Sequence, residues 1–303
     1  MNFTIHTIGC GSARPSLRHQ PSSTVINHRG SLYMVDCGEG AQLGMMRQRL
    51  PFTRLRHIFL THLHGDHVFG LPGLMGTLAL GGNGGDITIH TFEEGKKQLS
   101  AIFNYFNRDT PFDIKFNVIK PEEAVILETK SLTVRTIPLK HRVDTVGFVF
   151  EEKPNLRHIN SEMTKFHEVP HYMMNSLKEG MDFIRPDGTV VPNSVLTNDP
   201  TPSLSYAHMS DTMYMPELAE KIGPVDLLFH ETTYLEDHAA MAAPRGHSTA
   251  RQAAMVARDA GAKRLLTGHY SSRYNDDSLF AKEASEIFPN VILNKEGLKI
   301  DLG

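Results

Sequence analysis

The sequence predicts a layered, mixed α/β (α+β) fold forming one domain over residues 1–303, with a single inserted arm at residues 151–193. Three observations lead there. Short apolar runs end in Gly-, Asp- or His-bearing turns throughout the first half. Strand-like and helix-length patterns alternate in the last third. Between them lies one charged, proline-bearing stretch with weak periodicity.

The elements follow in order. Phe3 to Gly9 alternates as a strand and stops at Gly9-Cys10-Gly11-Ser12. Thr24–Ile26 and Ser31–Asp36 form a hairpin turning at His28-Arg29-Gly30. The glycines of Asp36-Cys37-Gly38-Glu39-Gly40 break the strand, and a helix runs from Ala41 to Arg49. Arg56–Thr61 is the next strand, and Val68–Leu80 a helix with Pro72 near its first turn, where a missing N–H costs nothing. Ile87–Thr91 is a strand and Glu93–Asn107 an amphipathic helix. Strands return at Ile114–Ile119, Val125–Leu127, Leu132–Leu139 and Val146–Glu151. Beyond the arm come strands Leu204–Ala207, Leu227–Phe229 and Arg264–Leu266, helices Ser248–Ala260 and Asp277–Ile287, and a last hairpin from Val291 to Leu302. No internal repeat occurs at a solenoid period.

Composition bounds the function. A chain of 303 residues that is 40% hydrophobic can bury a sizeable core. Its formal charge of -3 excludes a strongly cationic coat of the kind that binds nucleic acid over a whole surface. No apolar run has the length of a membrane span, and Met1-Asn2-Phe3-Thr4-Ile5-His6 enters strand-like alternation without a signal-peptide layout. Cys10 and Cys37 read as small buried thiols of a reducing, cytoplasmic compartment.

The strongest local signal is Thr61-His62-Leu63-His64-Gly65-Asp66-His67, directly after the apolar strand Ile58-Phe59-Leu60. It gathers three imidazoles and a carboxylate, the ligand types of zinc and related ions. One ion would not use four ligands from so short a stretch; two adjacent ions would. His141, Asp211 and His269 stand at later strand ends, where sites of layered α/β proteins collect. They complete two sites: His62, His64 and His141 for one ion, Asp66, His67 and His269 for the other, with Asp211 bridging. Two ions about 3.5–4 Å apart suit a hydrolytic displacement.

These residues resemble the metallo-β-lactamase superfamily, and further motifs resemble the ribonuclease Z family within it. They are Gly9-Cys10-Gly11-Ser12, Asp36 to Gln42, Leu228-Phe229-His230-Glu231-Thr232-Thr233-Tyr234, His247-Ser248-Thr249-Ala250 and Gly268-His269-Tyr270-Ser271-Ser272-Arg273-Tyr274. The resemblance covers essentially the whole chain. It implies a four-layer αββα sandwich and two Zn2+ per chain, with Mn2+ also suited to N/O ligands. It further implies precursor tRNA as partner, a homodimer, and cleavage that removes the 3′ trailer to leave a 3′-hydroxyl and a 5′-phosphate. Asp66, His247 and Glu231 are then the catalytic residues, Glu231 raising the basicity of the His247 ring. Ser271, Arg273 and Tyr274 are candidates for contact with substrate phosphate. The arm takes the place of the family's tRNA-binding exosite. Where many bacterial relatives carry a Gly/Pro-rich motif, it reads Phe166-His167-Glu168-Val169-Pro170-His171-Tyr172-Met173-Met174-Asn175. Two alternatives stand beside this reading: a small-molecule phosphodiesterase or arylsulfatase, and a catalytically silent RNA-binding scaffold.

Overall fold

The computed structural model describes residues 3–81, 85–107 and 110–303, so Met1 and Asn2 of the predicted N-terminal alternation lie outside the described residues. The described chain forms two compact units. The smaller is Thr129–Thr133 with Glu151–Ser203, and the larger takes the rest.

The strands in chain order are β1 (Phe3–Gly9), β2 (Ser23–His28), β3 (Ser31–Val35), β4 (Leu55–Phe59), β5 (Ile87–Thr91), β6 (Ile114–Val118), β7 (Ala124–Glu128), β8 (Leu132–Leu139) and β9 (Thr145–Glu152). The smaller unit adds β10 (His158–Ile159), β11 (Phe183–Ile184), β12 (Val190–Val191) and β13 (Thr197–Asn198), and the chain finishes with β14 (Ser205–Met209), β15 (Leu227–His230), β16 (Leu265–Leu266), β17 (Val291–Ile292) and β18 (Lys299–Asp301).

Two seven-stranded sheets result, ordered β18-β1-β2-β3-β4-β5-β6 and β17-β16-β15-β14-β9-β8-β7. They pack face to face through aromatic side chains: the Phe59 ring centroid lies 5.3 Å from those of both Phe148 and Phe150. Helices Ala41–Arg47, Leu71–Leu80 and Glu93–Phe106 bury Met45, Leu74, Leu99 and Phe103 against the first sheet. Helices Leu218–Ile222, Ala250–Asp259 and Ser278–Ser285 cover the second with Leu218, Ala254, Val256 and Phe280. The order helix, sheet, sheet, helix is the predicted αββα sandwich. Strands β3 to β6 pair in parallel, as do β14 to β17, so several strand C-termini open on one edge.

Two predicted elements differ. The last hairpin does not form: β17 pairs with β16 in one sheet, and β18 pairs antiparallel with β1 in the other. The connection crosses between sheets because Asn294 is buried and accepts from the Thr7 hydroxyl (2.6 Å), and Gly297, at φ +84°, donates its N–H to Thr7 O. The predicted 68–80 helix begins as a single turn, Gly65–Val68, and resumes at Leu71. At the break, Gly70 lies so close to the 37–38 backbone that a Cβ there would fall 2.1 Å from Gly38 O.

The smaller unit is more ordered than its sequence suggests, and it extends to Ser203, beyond the Asn193 boundary read from sequence. Asn160 caps the helix Ser161–Phe166 by accepting from Met163 N–H at 3.2 Å. Strands β10–β13 and β11–β12 pair, and Leu177, Phe183, Val191 and Leu196 form a small core. Two-residue strands are too short to leave a periodic signal.

Candidate metal centre and proton-transfer dyad

The centre is built on the ends of β3, β4, β8, β14, β15 and β16. At the end of β3, Asp36 is fully buried with φ +56°. Its carboxylate accepts from Thr61 N–H (2.8 Å), from the Thr61 hydroxyl (2.8 Å) and from His67 Nδ1–H (2.7 Å). Asp36 therefore ties the histidine loop to the neighbouring strand and turns the bare Nε2 of His67 inward. His141 Nδ1–H donates to Gly246 O at 2.7 Å; Gly246 sits at φ +75°, and a Cβ on it would fall 2.5 Å from that nitrogen. His269 Nδ1–H donates to the Thr233 hydroxyl (2.8 Å), which in turn donates its O–H to Glu231 (2.7 Å). The Thr61 hydroxyl faces His62 Nδ1 at 3.1 Å. In each case the outer ring nitrogen is spent on an acceptor, which assigns the tautomer and leaves the inner nitrogen a lone pair.

Those lone pairs converge in two groups. His64 Nδ1 lies 2.9 Å from His62 Nε2 and 3.2 Å from His141 Nε2, and Asp211 Oδ2 lies 3.7 Å and 3.8 Å from the same two Nε2 atoms. In the second group Asp66 Oδ2 is 3.5 Å from His67 Nε2 and 3.6 Å from His269 Nε2, and Asp211 Oδ1 is 3.5 Å and 3.2 Å from these. Asp211 thus turns one oxygen to each group. The buried Nε2 atoms of His67 and His269 have no hydrogen-bond partner. Inward lone pairs this close repel one another unless cations lie among them, so both groups fit divalent metal ions. Burial, above all, pushes the pKa values of His62, His64 and His141 down, which keeps their rings neutral and able to ligate. Burial opposes ionisation of Asp66, but positive charge at the inward nitrogens of His269 and His67, whether proton or metal ion, prevails and holds the carboxyl well below the usual range.

Beside the two groups, His247 Nδ1 lies 2.9 Å from Glu231 Oε1 and 3.9 Å from Asp211 Oδ2. Glu231 is fully buried and also accepts from the N–H groups of Thr212, Thr233 and Ser248. Burial disfavours a charged His247 ring, but the charge and hydrogen bond of Glu231, aided by Asp211, outweigh it and raise the pKa to about 9. The ring has no capping duty: Thr249 caps the following helix, in a reciprocal box with Gln252.

The predicted phosphate contacts separate. Arg273 is exposed, its guanidinium carbon 5.4 Å from the Tyr234 ring centre, and Ser271 is half-buried. Tyr274 does not belong with them. Its ring is buried against Phe280, and its hydroxyl accepts from Leu235 N–H (3.0 Å) and meets His238 Nδ1 (3.0 Å), so it is committed to packing. Sequence reasoning assigned no role to Asp36, Thr61, Thr233 or the Ala13 N–H, which donates to Asp66 Oδ2 at 2.7 Å. Asp36 had a signal: an acid ending a buried strand immediately before Cys-Gly.

The matches to known proteins agree with this geometry. A family model described as beta-lactamase superfamily domain matches residues 195–270, and one described as Anti-Pycsar protein Apyc1 matches residues 3–169. In structure, human tRNase Z, short form, is 22% identical with TM-score 0.71, each chain covered to 99%. A metallo-beta-lactamase fold protein from Bacillus subtilis is 17% identical with TM-score 0.70, covering 99% of this chain and 100% of that one. Fold and site together define a protein of the metallo-β-lactamase class. In sequence, the chain is 46% identical over 302 residues to the ribonuclease Z of Parabacteroides distasonis, and 45% identical over 301 residues to that of Bacteroides fragilis, with 99% of each chain covered. The chain belongs to the ribonuclease Z family, and its first half also carries the match to the Apyc1 model.

Proposed function

We propose that this protein is a metal-dependent endoribonuclease that removes the 3′ trailer from precursor tRNA. The observation that carries the reading is full-length identity of 46% to a ribonuclease Z, against which a silent scaffold or a small-molecule hydrolase would need no such likeness from end to end. His62, His64, His141 and Asp211 would hold one ion, and Asp66, His67, His269 and Asp211 the other. When bound, the two ions, zinc by the donor set and with manganese also suited, supply Lewis-acid activation of water and neutralise charge on the phosphate.

The chain's own residues do the rest. Asp66, kept ionised, orients the attacking water and holds its proton. His247 is the group placed to enter as an imidazolium, since Glu231 holds its Nδ1 and raises its pKa. It gives its proton to the departing ribose 3′ oxygen, which leaves the tRNA with a 3′-hydroxyl and the trailer with a 5′-phosphate. Glu231 holds the ring and balances its charge. Arg273, exposed beside Tyr234, suits a phosphate oxygen near the scissile bond.

The smaller unit is the exosite for tRNA in this reading. Lys153, Arg157, Lys165, Lys178 and Arg185 supply positive charge there, although Arg157 pairs with Asp199 (2.9 Å) and Arg185 with His167 (2.7 Å). A homodimer follows from the same resemblance. A cytoplasmic place is supported by the two buried free thiols, Cys10 and Cys37. Incubation of a precursor tRNA with the zinc-loaded protein, followed by mapping of both new ends, tests the function. Turnover of a chromogenic phosphodiester without cleavage of the precursor would favour the small-molecule reading.

A further inference from the structure

The loop that leaves β1 meets the chain's last turn in a second cluster of ligating side chains. Cys10 Sγ lies 3.5 Å from His19 Nδ1, and both carboxylate oxygens of Glu296 lie 3.3 Å from the same nitrogen. Ligand atoms of the three residues all fall within 4.8 Å of one another. Cys10 is 2% exposed, and the side chains of His19 and Glu296 are 14% and 25% exposed, so the cluster is sheltered yet reachable from solvent. Glu296 is held in place by Gln20 N–H at 2.9 Å.

The other face of His19 carries the second observation. Its Nε2 lies 2.9 Å from Asp277 Oδ2. An ionised carboxylate can only accept, so that nitrogen bears a proton, and without a second proton the ring presents a bare lone pair on Nδ1. Opposite that lone pair stands Glu296, another acceptor. Acceptors 3.3 Å apart need a proton or a metal ion between them. The distances fit a metal ion. A tetrahedral zinc with a sulfur at about 2.3 Å and nitrogen and oxygen at about 2.0–2.1 Å sets S···N near 3.5 Å and N···O near 3.3 Å. A carboxylate on the remote ring nitrogen is also what orients a metal-binding histidine.

We propose that Cys10, His19 and Glu296 form a third divalent-cation site, for zinc or a similarly thiophilic ion, with its fourth position open to water. Binding replaces two protons, one from the Cys10 thiol and one from the protonated His19 ring, and both leave to bulk water. In the absence of the ion, burial first and the Glu296 charge second keep the thiol neutral. The ion joins the end of β1, the segment to His19 and the turn before β18. That same segment carries Ala13, whose N–H holds Asp66. The site is therefore a brace beside the hydrolytic centre and takes no part in its chemistry.

The test uses the full-length protein, stripped of metal by a chelator and titrated with cobalt(II). The hydrolytic centre offers only nitrogen and oxygen ligands, so a thiolate-to-cobalt charge-transfer band in the near ultraviolet reports a cysteine-bearing site. The expected result is such a band in the wild type, unchanged in Asp211→Ala and absent in Cys10→Ser. Asp277→Ala, which removes the acceptor from His19 Nε2, should weaken the cobalt affinity read at that band by about 10–100-fold; this variant keeps the test decisive if Cys10→Ser fails to fold. Wild-type protein that binds cobalt without the band overturns the proposal and leaves the cluster as a protonated-histidine ion pair. Survival of the band in Cys10→Ser, or full affinity in Asp277→Ala, overturns it equally. Cleavage of RNA plays no part in the readout, so this result stands apart from the proposed function.

Discussion

Asp36 touches no ligand pocket directly, yet it should control the second metal group. Its buried carboxylate accepts from three donors: Thr61 N–H, the Thr61 hydroxyl and His67 Nδ1–H. Asp36→Ala strands all three. At about 1–3 kcal/mol for each buried unsatisfied donor, the loss is roughly 3–9 kcal/mol, a large part of the about 5–15 kcal/mol that holds a domain together. That variant tests stability alone. Asp36→Asn isolates the metal. Its amide oxygen still accepts from Thr61, but its NH2 faces His67 Nδ1 and drives the ring to the other tautomer, with a proton on Nε2 where a lone pair is required. The expected outcome is a folded protein, weaker by about 2–3 kcal/mol through loss of a charge-assisted hydrogen bond. Affinity for the ion held by Asp66, His67 and His269 should fall about 10–100-fold, whereas the His62, His64 and His141 group keeps its ion. Urea unfolding of the metal-free protein gives the first number, and metal analysis during stepwise chelation gives the second. An Asp36→Asn protein that holds both ions as tightly as wild type would refute the argument that Asp36 sets the His67 tautomer.

Three further outcomes follow from the same geometry. His247→Ala should retain both ions and slow single-turnover cleavage about 10²–10⁴-fold; the wild-type rate in that variant would remove His247 as the acid. His90 is 1% exposed, with Nε2 3.1 Å from His57 Nδ1 and Nδ1 2.9 Å from the Asn117 amide, and burial lowers its pKa to about 3. Because its folded pKa lies below the unfolded value near 6.5, the unfolded chain takes up a proton that the fold refuses, and stability is lost as pH falls through the window from about 6.5 to about 3. Between pH 6.5 and 5 the loss from His90 is about 2 kcal/mol, so a metal-free His90→Gln protein should show a shallower acid dependence of its urea midpoint than wild type, and equal slopes would contradict the assignment. Replacing Glu151–Ser203 by a short Gly/Ser bridge should leave hydrolysis of a small phosphodiester intact and raise the KM for precursor tRNA, a difference that shrinks as salt screens the wild type's phosphate contacts; an unchanged KM would make the smaller unit inert. The boundary matters, because stopping near Pro192 would leave Leu196 and β13 without the partners that order them.

What was legible in the chain was whatever depends on neighbours in sequence. The alternation of Phe3–Gly9, the Arg29-Gly30 turn, the spacing of Gly95, Leu99 and Phe103 on one helix face, and the His62–His67 cluster all arise from local geometry. The later candidates His141, Asp211 and His269 were legible as residues at strand ends, and the fold does bring them to the cluster. Pairing and protonation were not legible, because each is settled by atoms distant in sequence. The Val291–Leu302 stretch has the propensity of a hairpin, but its two strands complete different sheets, since each sheet offers an unpaired edge whose backbone groups must be satisfied. Tyr274 reads as a phosphate contact beside Arg273, and only the packing of Leu235, His238 and Phe280 consumes it. The roles of Asp36, Thr233 and Gly246 are of the same kind. By itself the sequence determined which groups are able to bind metal and move protons. The tertiary structure decided which ring nitrogen each histidine turns inward, because that choice belongs to the hydrogen-bond acceptor on its far side, and those acceptors come from other strands.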